Sequence, residues 1–327
     1  MRFFKWLHPG LHIKRWLFLF GLCTSFGIVL TFNYQWIGQV EEWTFRLLYE
    51  ATGHYNYTVL ASLGIVILLA GILIMGWSTR RLIRTMLGVI MPNESENLSE
   101  LILSNMKLSK GPKVVVIGGG TGLSVMLRGL KTKTYNLTAV VTVADDGGSS
   151  GRIRQDLDII APGDLRNCLV ALADKEGLME KLFAHRFGGS GNLSGHSFGN
   201  LFIAALIEVL GDVEGAMDAT SKVLKVRGKV IPSSADKILL NAELSDGTIV
   251  QGESQIPRAH GKIKRVFTTP EHPRAVQSAV DAIRDADAIV LGPGSLYTSI
   301  MPNLCIPDIA AAVRESKAKK IYICNVM

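Results

Sequence analysis

The chain has only four cysteines, and Cys23, Cys168, Cys305 and Cys324 show neither Cys-x-x-Cys spacing nor a nearby histidine pair. That absence excludes a zinc ribbon and a disulfide framework, and it fits a reducing cytoplasm. Basic charge is scarce outside the N-terminal region. Of the formal net charge of +7, the first 90 residues account for 8 Lys+Arg against 3 Asp+Glu, which leaves net +2 for the rest. A nucleic-acid site would gather its Lys and Arg on the folded domain, so a nucleic-acid partner is not expected. The glycines Gly118, Gly120 and Gly122 give G-x-G-x-G and not the strict dinucleotide fingerprint, and no Tyr-x-x-x-Lys pair accompanies them. Both absences count against an NAD-dependent oxidoreductase, and no redox cofactor is expected.

What the chain does have is apolar sequence, 48% of its residues, with the excess concentrated in two runs. Trp16–Phe32 and Thr58–Trp77 are uncharged and mostly apolar, and the second is long enough to cross a bilayer. No small-residue cleavage site follows the first run, which disfavours a signal peptide. Arg2, Lys5, Lys14 and Arg15 precede the first run, and Arg80, Arg81 and Arg84 follow the second. The segment between them holds only Arg46 against Glu41, Glu42 and Glu50. This asymmetry predicts a two-span anchor over 1–84 with both ends cytoplasmic, the bilayer being its first partner. The aromatics Tyr34, Trp36, Trp43, Tyr49, Tyr55 and Tyr57 fall in the expected outer loop and suit an interfacial belt.

The chemistry lies beyond a juxtamembrane linker over 85–111. Val114 to Ile117 reads as a buried parallel strand and runs into Gly118, Gly119, Gly120, Thr121 and Gly122. Leu123, Met126, Leu127 and Leu130 then place one apolar stripe on a helix. A helix opening at a glycine turn aims free N–H groups and its positive dipole end at a guest, commonly a phosphate; a purely structural turn is the other reading. Leu137 to Val143 predicts the next strand, putting Asp145 and Asp146 at its carboxyl end. With Gly147, Gly148, Ser149, Ser150 and Gly151 behind them, the two acids suit a hydrated Mg²⁺ that bridges a diphosphate, or a solvated turn.

Further candidates follow on later elements. Arg152 and Arg154 come after the acidic turn and suit a bidentate grip on phosphate, with a solvated helix face as the alternative for Arg154. In Pro162-Gly-Asp-Leu-Arg-Asn167, Asp164 reads as a helix cap, and Arg166 as a phosphate contact or a surface salt bridge. His196 in His196-Ser-Phe-Gly-Asn200 suits a general acid, a diphosphate donor or a cap, and Gly188–Gly195 before it suits a lid. Gly292-Pro-Gly-Ser-Leu-Tyr-Thr-Ser299 repeats the first glycine turn, with hydroxyls on Ser295, Tyr297, Thr298 and Ser299. Helices are expected over Ser99–Met106 and Arg274–Ala286, and strands at Ala288–Leu291 and Ile321–Cys324. Ser245-Asp-Gly247 between two apolar runs predicts a hairpin in a small β-rich insertion over about 230–269. The alternation of strands and helices over 112–327 predicts an α/β fold, a Rossmann-like doubly wound and mostly parallel sheet. A chain that stops on a strand suggests that more sequence follows.

These strings, in this order, resemble the family that joins the bacterial gluconeogenesis factors (the YvcK type) with the 2-phospho-L-lactate transferases (the CofD type). The carrying segments are Ile117–Ser124, Val143–Arg152, Pro162–Leu172, His196–Asn200, Gly292–Ser299 and Cys324–Met327, and the likeness is nearer the gluconeogenesis factors. The resemblance implies a nucleotide-diphosphate pocket built from Gly119, Gly120, Thr121, Gly122, Ser149, Ser150, Gly151, Arg152, Arg166, Asn167, His196, Asn200, Gly292, Gly294, Ser295 and Tyr297, with Asp145 and Asp146 handling Mg²⁺. It implies a ligand such as UDP-N-acetylglucosamine and a regulatory role in cell shape and cell-wall synthesis on gluconeogenic carbon. Proteins of envelope synthesis are the implied partners, and homo-oligomerisation stays open. The alternative it implies is Mg²⁺-dependent transfer of a phospho-acid from a nucleotide-activated donor.

Overall fold

Short runs of Val, Ile and Leu that are apolar on both faces form the central sheet of the computed structural model, which describes residues 27, 34–53, 62, 65–66, 69–81, 98–174 and 177–324. The chain divides into two units, Met1–Ile102 and Leu103–Met327.

In the first unit, α1 spans Tyr34–Thr52. This corrects the expectation of a loop. No proline interrupts the segment, and its Leu, Glu, Gln and Arg are good helix formers, so nothing in the sequence stops the helix. Of the two apolar runs, Trp16–Phe32 lies outside the described residues apart from Gly27. Thr58–Trp77 is described at Ser62, Ile65 and Val66 and over 69–77. Residues 69–81 are helical and expose Leu69, Ile72, Leu73 and Trp77. Among the described residues no single helix is long and apolar enough to cross a membrane. Tyr55, Tyr57, Pro92–Asn97 and Asn325–Met327 lie outside the described residues as well.

Helix α2, Leu98–Ser109, is longer than the spacing predicted, and Asn105 on it accepts from the Tyr135 hydroxyl at 2.6 Å. Beyond it β1 (Val114–Gly118), α3 (Gly120–Leu130) and β2 (Leu137–Val141) form as expected. Helices α4 (Gly148–Asp156), α5 (Gly163–Leu172), α6 (Gly177–Ala184), α7 (Phe198–Leu210) and α8 (Val213–Val223) lead to β3 (Lys229–Pro232). The insertion is a three-stranded antiparallel sheet of β4 (Leu239–Leu244), β5 (Ile249–Gln251) and β6 (Ile263–Thr269), ordered β5-β4-β6. Its predicted start at 230 is corrected, because Val230 and Ile231 pair in parallel with β2 and belong to the main sheet. Then come α9 (Gln277–Arg284), shorter than predicted, β7 (Ala288–Leu291), a π-helical turn at Leu296–Ile300, α10 (Met301–Leu304), α11 (Pro307–Glu315) and β8 (Lys319–Tyr322).

The main sheet runs β3-β2-β1-β7-β8, all parallel. Strand order therefore travels one way from β1 to β2 and the other way from β7 to β8. Crossovers of one hand in opposite directions put α3 and α11 on opposite faces of the sheet. Leu123 and Leu127 of the predicted α3 stripe are fully buried, as are Leu165, Leu169 and Leu172 of α5, and α3 packs on α5. Phe183 of α6 fills the angle between Phe198 and Phe202 of α7, with ring centroids 5.8 and 5.0 Å away. Among the described residues Cys168, Cys305 and Cys324 form no disulfide.

The helix stripe yields a paired test. Leu127→Ala should cost about 2–5 kcal/mol of unfolding free energy, as expected for a fully buried leucine. Val125→Ala, two residues away on the solvent face, should stay within about 0.5 kcal/mol of the parent. Urea unfolding of the two variants checks this, and equal losses would contradict the assignment of faces.

Candidate functional site

Strand order reverses between β1 and β7, and open α/β sheets bind ligands at the carboxyl ends of the strands where that happens. Both predicted glycine turns sit there. Gly119 caps α3 in extended backbone and Gly120 follows at φ +72, a left-handed conformation that disfavours any side chain. A Cβ built on Gly119 falls 2.6 Å from Asp164 Oδ2, and one on Gly122 falls 3.0 Å from the carbonyl oxygen of Pro293. The Gly292–Ser299 loop therefore lies directly against the first turn. Asn303 of α10 ties them together, its Nδ2 donating to the carbonyls of Gly118 at 3.3 Å and Ser299 at 2.9 Å. Within the loop Ser295 caps its own turn by accepting from Thr298 N at 3.4 Å, while Tyr297 is exposed. Thr121 is exposed at the start of α3.

Acids gather on one side of this rim. Asp145 Oδ1 accepts from Gly147 N at 2.9 Å, and Asp146 Oδ1 accepts from Ser254 N at 2.8 Å, so the insertion reaches back onto the acidic turn. Asp164 is not a cap. It stands in the first turn of α5, whose N-cap residue is Pro162, and its carboxyl faces the Gly119–Gly120 backbone of the neighbouring helix. Burial, reinforced by the charges of Asp145 and Glu253, pushes its pKa up to about 7, against the pull of the Gly120 N–H and of Arg166. Glu253 is raised as well. Burial is the main cause there, Asp145 and Asp146 add to it, and a hydrogen bond from the Thr298 hydroxyl opposes it. Among the described residues no group of three His, Cys, Asp or Glu is arranged to hold a metal ion. The donor set at Asp145 and Asp146 thus suits only a cation that brings other ligands of its own, as Mg²⁺ does on a diphosphate.

Donors gather on the other side. Ser149 of α4 is a hub: its Oγ accepts from Ser197 N at 3.2 Å and from Asn200 Nδ2 at 3.3 Å, and lies 3.3 Å from His196 Nδ1. With both acceptor positions occupied, the hydroxyl proton goes to Nδ1, which leaves the imidazole as the Nε2–H tautomer. Burial and the Arg152 guanidinium lower the His196 pKa, which keeps the ring neutral at pH 7. Arg166 is buried, with Nη1 donating to Ser197 Oγ and Nη2 to Asn167 Oδ1, both at 2.6 Å; the surface salt bridge is thereby excluded. Ser150 is committed to the fold, its Oγ accepting from Gly163 N at 3.0 Å, and Gly151 is buried in α4.

The two arginines of α4 differ in their surroundings, and the solvated face that was the alternative for Arg154 is not what surrounds it. Arg152 is exposed and donates to Ser194 O at 2.9 Å, whereas Arg154 is half-buried near Asp145 and Asp146 with Nη1 unpartnered. Asn200 Oδ1 and Asn303 Oδ1 are buried without partners as well. Each such atom costs about 1–3 kcal/mol unless something pairs with it. Asp164, Glu253 and Asn303 join the site although sequence reasoning assigns them no binding role, and Arg154 joins it through the phosphate-facing reading. For Asp164 a signal existed in its place beside Arg166; for Glu253 there was none. A surface cavity of about 1060 Å³ lies along Lys113, Tyr135, Leu137, Lys222 and Lys229 at the amino ends of the strands, the end opposite to the one where open α/β sheets bind ligands.

The raised pKa of Asp164 has a defined sign. Between the ordinary value of 3.8 and about 7 the folded state holds a proton that the unfolded chain has released, so stability falls as pH rises through that window and then levels off. Asp164→Asn removes this fall. The difference in unfolding free energy between variant and parent should grow in the variant's favour by up to about 1.4 kcal/mol per pH unit across the window. A difference independent of pH would show that Asp164 titrates as an ordinary surface acid.

The family model described as 2-phospho-L-lactate transferase CofD matches residues 114–327. A putative gluconeogenesis factor of Nostoc is 47% identical over 335 residues, covering 100% of this chain and 72% of the relative. The gluconeogenesis factor of Halalkalibacterium halodurans is 58% identical over 218 residues, 67% of this chain and 68% of its own, and that of Bacillus subtilis is 55% identical over 220 residues. A crystal structure of a Bacillus halodurans protein superposes with a TM-score of 0.65 at 58% identity, covering 66% of this chain and 70% of that one. With the motifs standing at the sheet rim where such a fold binds ligands, the chain belongs to the CofD family, among the gluconeogenesis factors.

Proposed function

We propose that this chain binds a nucleotide sugar, with UDP-N-acetylglucosamine as the first candidate, and acts as a regulator of cell shape and cell-wall synthesis during gluconeogenic growth. The observation that carries the reading is the one-sided supply of donors: Arg152, Arg166, the Nε2–H of His196 and the unpartnered Nη1 of Arg154 stand beside a glycine-rich helix start. A diphosphate supplies charged acceptors to groups that have only neutral ones, as Arg152 and Arg166 do, or an unpartnered donor, as Arg154 has, and bidentate arginine contacts are the strongest available to it. The names of the relatives point the same way, since those matched across this chain are called gluconeogenesis factors. An N-terminal anchor would hold the sensor at the membrane, near wall-building machinery, with its nucleotide domain in the cytoplasm.

A second reading is favoured by the acids. Asp145 and Asp146 each keep one carboxylate oxygen free of the backbone bonds above, which suits a Mg²⁺ carried in on a nucleotide donor. Bound there, the ion would neutralise charge on a diphosphate leaving group, as phospho-acid transfer in the manner of 2-phospho-L-lactate transferase requires.

Thermal unfolding of the full chain with UDP-N-acetylglucosamine, GDP, GTP and NAD, each with and without Mg²⁺, separates the readings. A ligand at 100 times its Kd adds about 2.7 kcal/mol of stability. Selective stabilisation by the UDP-sugar, lost in Asp145→Asn, is the expected result. A response confined to guanine nucleotides with Mg²⁺ would replace the sensor with the transferase.

A further inference from the structure

Three of the four residues from Ser194 to Ser197 are gripped by three arginines from three different elements. Arg152 of α4 donates to Ser194 O at 2.9 Å, Arg186 to Gly195 O at 3.2 Å, and Arg166 of α5 to Ser197 Oγ at 2.6 Å. Arg186 stands on the first arm of a hairpin whose arms pair through Phe187 N to His196 O and Gly195 N to Phe187 O, at 2.9 and 2.8 Å. Among the described residues none of the three arginines forms an ion pair. Burial, with the field of Arg186 added, lowers the Arg166 pKa against the pull of Asp164 and Asp145, so two of the three charges repel each other.

A guanidinium bound only to neutral carbonyls is under-used, because its fork fits a doubly charged oxyanion and binds one more tightly. Main-chain carbonyls at a hairpin are weak acceptors that such an anion outcompetes. We infer that Arg186 is an anion-binding residue of this cleft, and that it and Arg152 exchange the Gly195 and Ser194 carbonyls for phosphoryl oxygens when a diphosphate arrives. The inference rests on the nucleotide-sugar reading for the identity of the natural ligand. Occupancy is then reported outward, since the Gly188–Ser194 tip loses two of its tethers as the anion is bound.

The test is calorimetric titration of the full chain with pyrophosphate and, separately, with UDP-N-acetylglucosamine, comparing wild type with Arg186→Gln, Arg186→Lys and Arg152→Gln. Both arginines are exposed, so the glutamine variants should unfold at the temperature of the parent without ligand. Arg186→Gln should weaken pyrophosphate binding about tenfold, with Arg186→Lys between it and the parent. Chymotryptic cleavage at Leu193 should change on saturation with pyrophosphate in wild type and not in Arg186→Gln. Equal affinity in wild type and Arg186→Gln overturns the inference, as does a wild type that takes up no pyrophosphate. Pyrophosphate binding that depends on Arg186, without uptake of the UDP-sugar, leaves the inference standing and removes the nucleotide-sugar reading.

Discussion

Parallel strands cannot be joined by tight turns, and that constraint organises the chain. Every strand of the main sheet must be followed by a crossover, and with order β3-β2-β1-β7-β8 the crossovers diverge at the β1–β7 boundary. The backbone leaves the sheet there in opposite directions and opens a crevice no side chain has to vacate. Glycines on both lips let the two loops approach until Gly122 meets the Pro293 carbonyl, and Asn303 bridges the seam from beneath. The site is a product of topology before it is a product of particular side chains.

Helix α4 then divides the crevice electrically. Before it stand Asp145 and Asp146, and their charges add to burial in raising the proton affinity of nearby acids, Asp145 for Asp164 and both for Glu253. Along and beyond it stand Arg152, Arg154, Arg166 and a neutral His196 oriented by Ser149. The two groups meet where Arg154 lies in the field of Asp146 and Asp145, and Arg166 in that of Asp164 and Asp145, so acids and cations partly offset one another across the helix.

Local signals made much of this legible. The β1 strand, its glycines and the α3 stripe lie within one short stretch, and each residue's role is fixed by near neighbours, so pattern and structure agree. The hairpin of β4 and β5 was legible for the same reason. Reading failed where partners are far apart in sequence. Asp164 looked like a cap because its true neighbours, Gly119 and Gly120, belong to another helix. Arg152 and Arg154 looked interchangeable until the hairpin at Ser194 claimed one of them. Glu253 carried no signal, since it is delivered by the insertion. Tyr34–Thr52 lies between two apolar runs, a position that suggests a loop, yet it has no proline and is rich in good helix formers, and it is a helix.

The bond from Ser254 N to Asp146 Oδ1 joins residues 108 positions apart. Contacts of that span form only after the intervening chain has closed a long loop, so the acidic wall is completed late in folding, once β4 to β6 have docked. The insertion also lends Leu240, Ala242 and Ile256 to the core it shares with the main sheet, so the acidic wall is held by packing as well as by this bond. Loosening the insertion would therefore cost buried core as well as the wall, which makes that side of the crevice as durable as the packing beneath it.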